Sequence, residues 1–185
     1  MLQAALGHAE IAARFNSHFA AGRHGGGAAV LIGGAAEPLY LPATSQRPAI
    51  IRYTLDYPQS ALHEIAHWCL ATPQRRALVD YGMWYLPPPR SARDQARFYA
   101  AEVPVQALEM LMAGACGLHF HCSVDNPGVD DPAARSDFEA RVRQAAHELC
   151  CRGPSELARS VLQTLNPNWQ QALQAAPAGM AAAAG

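Results

Sequence analysis

Apolar positions recur at helical spacing from the start of the chain. Leu2, Leu6, Ile11, Phe15 and Phe19 predict a helix over residues 2–20. A glycine-rich break at 21–27 ends it. Two short apolar runs follow, AAVLIGG and EPLYLP, divided by Gly33 and Gly34, and they read as a strand pair. The β-branched and aromatic run Pro48–Thr54 is a third strand. Asp56 to Ser60 forms a turn, and Ser60 caps a helix at 61–71. Thr72 and Pro73 stop that helix and start another, which runs to Gly82. WYLPPPR is a stiff extended connection. One helix spans 91–100, and a separate, strongly apolar one spans 102–115 with Pro104 in its first turn, where a missing N–H is tolerated. After turn chemistry in HFHCSVDNPGVDDP, helices are expected at 132–151 and 154–165. Residues 174–185 are Ala-rich and read as a loose tail. The pattern predicts an α+β fold, a single domain over 1–173 with a small N-terminal sheet packed on several helices.

Composition narrows the class. The chain has 185 residues, half of them hydrophobic and 16% charged, which excludes a disordered chain. All 14 basic residues are arginine and the net charge is -1, a poor basis for tracking phosphates, so no nucleic-acid partner is expected. No apolar run is long enough to span a bilayer, and MLQAALGHAEIAARF lacks the basic start and long apolar core of a secretory signal. The five cysteines show no paired framework. Reduced thiols and a cytoplasmic location are the expectation, with no membrane partner.

The chemistry lies in His63-Glu64-Ile65-Ala66-His67. Two histidines four apart on one helix face can share a metal ion, with the glutamate beside it to handle a proton. Leu62, Ile65, Trp68 and Leu70 make that helix largely buried, where unpartnered histidines would be costly. A third ligand is needed. Glu102, Gln106 and Glu109 share one face of the helix at 102–115, and Glu102 is the first choice. Glu109, Asp80, His119 and His121 are the alternatives. Two histidines and a carboxylate suit zinc in a hydrolase or ferrous iron in an oxygenase, and ligand type alone does not separate them.

Longer words surround the box: EPLYLPA (37–43), ALHEIAHWC (61–69), RRALVDYGMWY (75–85), EVPVQALE (102–109) and HCSVDNP (121–127). In this order they resemble the bacterial elongation factor P hydroxylase family, over roughly residues 10–165. The resemblance implies a zincin-like fold used for oxygenation without peptidase activity. It implies non-heme Fe(2+) held by His63, His67 and Glu102, with O2 as co-substrate. The implied reaction hydroxylates the β-lysyl-modified lysine of elongation factor P. No 2-oxo acid is expected, because the double-stranded β-helix usual for such oxygenases does not fit this helix-rich pattern. The chain departs from the family in the Ala- and Gly-rich segment 20–36 and in its tail.

A long cationic substrate side chain calls for carboxylates near the metal. Asp80 and Asp125 are candidates for the ammonium groups, and Tyr81, Trp84 and Tyr85 for the methylene stem. Their ordinary alternatives are an ion pair of Asp80 with Arg75 or Arg76, an Asx turn at Asp125, and aromatic core packing. Glu64 is the catalytic candidate, and a monomer is expected. A zinc metallopeptidase and a metal-stabilised binding module without catalysis are the competing readings.

Overall fold

The computed structural model describes residues 4–22, 25–83, 86–127 and 131–175. Trp84 and Tyr85, two of the expected stem-lining residues, lie outside them, as do 176–185 of the expected tail.

The first helix, α1 (His8–Phe19), starts after Gly7, later than its periodicity suggests. Leu6 is buried all the same, and its N–H donates to the Cys116 carbonyl. Ile11, Phe15 and Phe19 enter the core, where both phenyl rings meet the Trp68 indole edge-on at 5.3 and 5.4 Å.

Three strands follow: β1 (Ala29–Ala35), β2 (Leu39–Leu41) and β3 (Ala49–Thr54). The expected pairing of the first two does not occur. β3 lies between them, parallel to β1 and antiparallel to β2. The link at 36–38 can bridge two strand spacings, about 10 Å, so the chain reverses and leaves a slot. Ile51 fills the middle of that slot, opposite Leu31 on one side and Tyr40 on the other.

The helix carrying the histidine box, α2 (Pro58–Leu70), begins earlier than expected, with Pro58 in its first turn. Ser60 is therefore not its cap. Its hydroxyl accepts the Thr54 N–H at 3.0 Å and ties the helix to the end of β3. Thr72 does cap the next element, α3, but that helix is only Pro73–Arg76. A 3-10 turn, Val79–Gly82, replaces the expected continuation, and Asp80, Tyr81 and Gly82 all take left-handed backbone angles.

Residues 92–115 form one helix, α4 (Ala92–Ala115), where two were expected. Ser91 caps it, and Pro104 lies in its interior. Pro104 and Ala100 are both exposed, so the carbonyl that loses its helical partner faces water. From Val105 onward α4 is buried throughout. The segment 118–127 crosses without regular structure to α5 (Pro132–Arg152). Phe138 and Val142 of α5 pack on Tyr99, with Phe138 stacked on that ring at 4.2 Å; Leu149 is only partly buried. Then come α6 (Glu156–Leu165), capped by Ser155, and α7 (Trp169–Ala175). α7 was not foreseen, and it takes in Gln174 and Ala175 from the expected tail. Buried Trp169 anchors it, and the Asn166 side chain fastens the preceding turn to the Ala115 carbonyl at 2.9 Å. Helices and sheet share one main core running from Leu6 to Trp169, a mixed α+β fold with a small three-stranded sheet. Among the described residues, no helix is long and apolar enough to cross a membrane.

Candidate metal centre

Helical periodicity puts His63 and His67 one turn apart on α2, and packing turns that face toward α4. Their Nε2 atoms lie 3.2 Å from each other. Opposite, the two carboxylate oxygens of Glu102 lie 3.6 Å from His63 Nε2 and 3.6 Å from His67 Nε2. These three side chains can each offer one ligand atom, all within 4.8 Å of one another.

Glu109 has a different place from the one expected of a ligand. It is buried rather than solvated, and its Oε2 accepts from His63 Nδ1 at 2.8 Å. That bond commits the Nδ1 proton and leaves Nε2 as the free donor atom, the arrangement by which a carboxylate behind a histidine orients it for a metal. Gln106 sits between the two glutamates. Its Nε2 donates to Glu102 Oε2 at 3.3 Å and to the Ser123 carbonyl at 2.9 Å, while its Oε1 accepts the Ser123 N–H. Gln95, Glu102, Gln106 and Glu109 thus form a buried polar stripe on α4 at helical spacing. Gln95 was missed from sequence, because it sits among Arg93, Asp94 and Arg97 in the polar first half of α4.

Burial and the four charged neighbours set the proton affinities of the metal-free site. Burial alone would lower His63, but the hydrogen bond and charge of Glu109, with Glu102 and Glu64, outweigh it and raise it to about 9. Burial, then the charge on His63, pushes His67 down to about 3. Burial also raises Glu64, to about 7, and raises Glu102. In the metal-free protein a proton on His63 therefore bridges toward neutral His67. A cation can take that proton's place between two nitrogens and a carboxylate, so the donor set fits a divalent metal.

The other candidates distribute unevenly. Asp80 is exposed, and its Oδ1 accepts the Tyr40 N–H at 2.8 Å; no ion pair joins it to Arg75 or Arg76 among the described residues. Arg75 donates to the Tyr81 carbonyl and Arg76 to the Trp68 carbonyl instead. Tyr81 is buried, stacked on Tyr40 with centroids 4.1 Å apart and lying nearly parallel to the His67 ring at 6.3 Å. Asp125, also left-handed, pairs through Oδ2 with Arg90 at 2.7 Å. The Arg90 side chain is only 1% exposed. It also donates to the Asp125 and Leu86 carbonyls and to Gln95, and it lies over the Phe98 ring. Arg90 was not anticipated, because nothing local marks it. His119 and His121 are exposed and stand apart from the chelating group. A shallow cavity of about 350 Å³ between α1 and α6, lined by Arg14, His18 and Ser160 among others, includes none of the chelating residues. The chemistry points to the histidine–glutamate cluster instead.

Comparison with known proteins agrees with the motif reading. A family model described as Elongation factor P hydroxylase matches residues 15–178. A curated protein of Haemophilus influenzae named "Elongation factor P lysine hydroxylase" is 42% identical over 114 residues, an alignment covering 59% of this chain. The chain spans 64% of that relative's length. The match to the family model covers most of the sequence and includes every residue of the histidine–glutamate cluster, and on that ground the chain belongs to the elongation factor P hydroxylase family.

Proposed function

We propose that this chain is an iron- and O2-dependent protein-lysine hydroxylase whose substrate is the β-lysyl-modified lysine of elongation factor P. The observation that carries the reading is the convergence of His63 Nε2, His67 Nε2 and the Glu102 carboxylate, with Glu109 behind His63. It rests further on the family and on the relative's name. We read the fold as zincin-like and the compartment as cytoplasm.

Ferrous iron held by these three side chains supplies the binding and reduction of O2. Every other role belongs to the protein. Glu109 holds the His63 Nδ1 proton and fixes the ring. Gln106 holds Glu102 against the 118–127 segment. Glu64, buried next to His63 on α2, is the carboxylate that would handle a proton there. Asp80 offers its second carboxylate oxygen to a substrate ammonium, while Asp125 is already committed in part to Arg90. Tyr81 flanks the stem.

The test is intact mass of β-lysylated elongation factor P after incubation with the chain, ferrous iron, a reductant and O2, without a 2-oxo acid. A gain of one oxygen, labelled from O2 and not from water, is the expected result. No gain in mass, together with zinc-supported peptide cleavage, overturns the reading in favour of a metallopeptidase.

A further inference from the structure

The Tyr81 hydroxyl is buried and has no hydrogen-bond partner among the described residues. A phenol in such a place ordinarily finds one. The fold goes to some trouble to hold it there. Asp80 and Tyr81 are consecutive non-glycine residues with positive φ, 46° and 57°, followed by Gly82 at 62°. Left-handed backbone at non-glycine residues persists only where its surroundings enforce it, and such outliers gather at functional sites. Here the enforcing contacts are visible. Asp80 accepts the Tyr40 N–H, the Met83 N–H returns to the Asp80 carbonyl, the Tyr40 hydroxyl donates to the Arg76 carbonyl, and the Tyr40 ring stacks on Tyr81. The His67 ring lies nearly parallel to the Tyr81 ring, with centroids 6.3 Å apart.

We propose that Tyr81 donates its O–H to the small oxygen- or nitrogen-donor molecule that takes the positions His63, His67 and Glu102 leave open on the metal. This rests on the metal-centre reading above. It goes beyond a stem-lining role for the ring, since it assigns the hydroxyl a bond that exists only when the site is loaded. Strained backbone and an unused donor then have one explanation: the turn at 79–82 presets the donor.

The probe is azide, titrated into cobalt(II)-loaded protein and followed by the visible absorption of the cobalt. Tyr81→Phe keeps the ring and removes the donor. The expected result is cobalt affinity equal to native, a melting temperature equal or higher because a buried unpaired hydroxyl is gone, and azide binding about tenfold weaker, one hydrogen bond to a charged acceptor. Tyr57→Phe, a control that removes an exposed phenol, should bind azide as the native chain does. Unchanged azide affinity in Tyr81→Phe overturns the proposal. A lower melting temperature also overturns it, by showing that the hydroxyl has a partner in the resting protein. Weaker cobalt binding overturns it too, by showing that Tyr81 acts on the ligands or is one. A native chain that binds no cobalt fails earlier, at the metal centre, and overturns both readings.

Discussion

Glu109→Gln isolates the bond behind His63. In the metal-free chain, Glu109 helps raise His63 to about 9. At pH 7 a metal ion must displace that proton across about 2 pH units, which costs about 2.7 kcal/mol of apparent affinity. Glutamine removes the charge, so His63 falls back and the proton competes far less. The same substitution weakens the orienting bond to Nδ1, and loss of such a partner typically lowers metal affinity 10–100-fold, about 1.4–2.7 kcal/mol. The two effects oppose each other at pH 7 and nearly cancel. Near pH 9 the native histidine is half deprotonated, competition fades, and the orientation loss emerges. The variant's deficit should therefore grow with pH, from about zero at pH 7 toward 10-fold or more at pH 9. Chelator competition with cobalt(II) at several pH values reads this directly. Glu109 also helps raise Glu102 and Glu64, so its loss lowers them together with His63 and the difference between the curves keeps its sign. Parallel curves with a fixed deficit would refute the reasoning, because Glu109 would then be holding the ring without raising its proton affinity.

Four further outcomes follow from the geometry. Glu102→Gln and His67→Ala should each lower metal affinity at pH 9 by more than Glu109→Gln does, since they remove an atom facing the metal, with equilibrium dialysis as the check. Arg90→Met should destabilise by about 2 kcal/mol or more in urea unfolding, because it strands the buried oxygen of Gln95 and the Leu86 carbonyl and breaks the Asp125 pair. Asp80→Asn keeps an acceptor for the Tyr40 N–H and should leave the melting temperature within about 2 °C while raising KM for the lysylated factor; an unchanged KM removes Asp80 from substrate binding. Alkylation at pH 8 followed by peptide mapping should find exposed Cys151 first and spare Cys69 and Cys116, whose thiols are buried and raised in pKa, Cys116 to about 12.

What could be read from the chain alone was whatever depends on neighbours within a turn or two. The histidines of the box share a face because a helix repeats every 3.6 residues, and Glu102, Gln106 and Glu109 share a face for the same reason. Thr72 is a cap because its hydroxyl reaches the third N–H beyond it, whereas Ser60, which reads as a cap just as well, is taken by the Thr54 N–H. The family words carried the function, since they fix which chemistry-bearing residues occur and in what order. Tertiary structure decided everything that depends on how elements meet. Which glutamate faces Nε2 and which faces Nδ1 of His63 is set by how α2 lies across α4; Glu102 was the first choice as ligand, but helical spacing alone puts both carboxylates on one face. β3 enters between β1 and β2 because a three-residue link leaves room for it, which no local signal announces. Arg90 meets Asp125 across 35 positions of chain. The left-handed turn at Asp80 and Tyr81 runs against local preference and stands because Tyr40, 40 residues before Asp80, holds it by one N–H and one ring face. Local energies of a fraction of a kcal/mol per residue choose helices and caps, while burying a polar group or bending the backbone costs several times more. Only contacts distant in sequence can offset costs of that size, and those contacts exist only once the chain has folded.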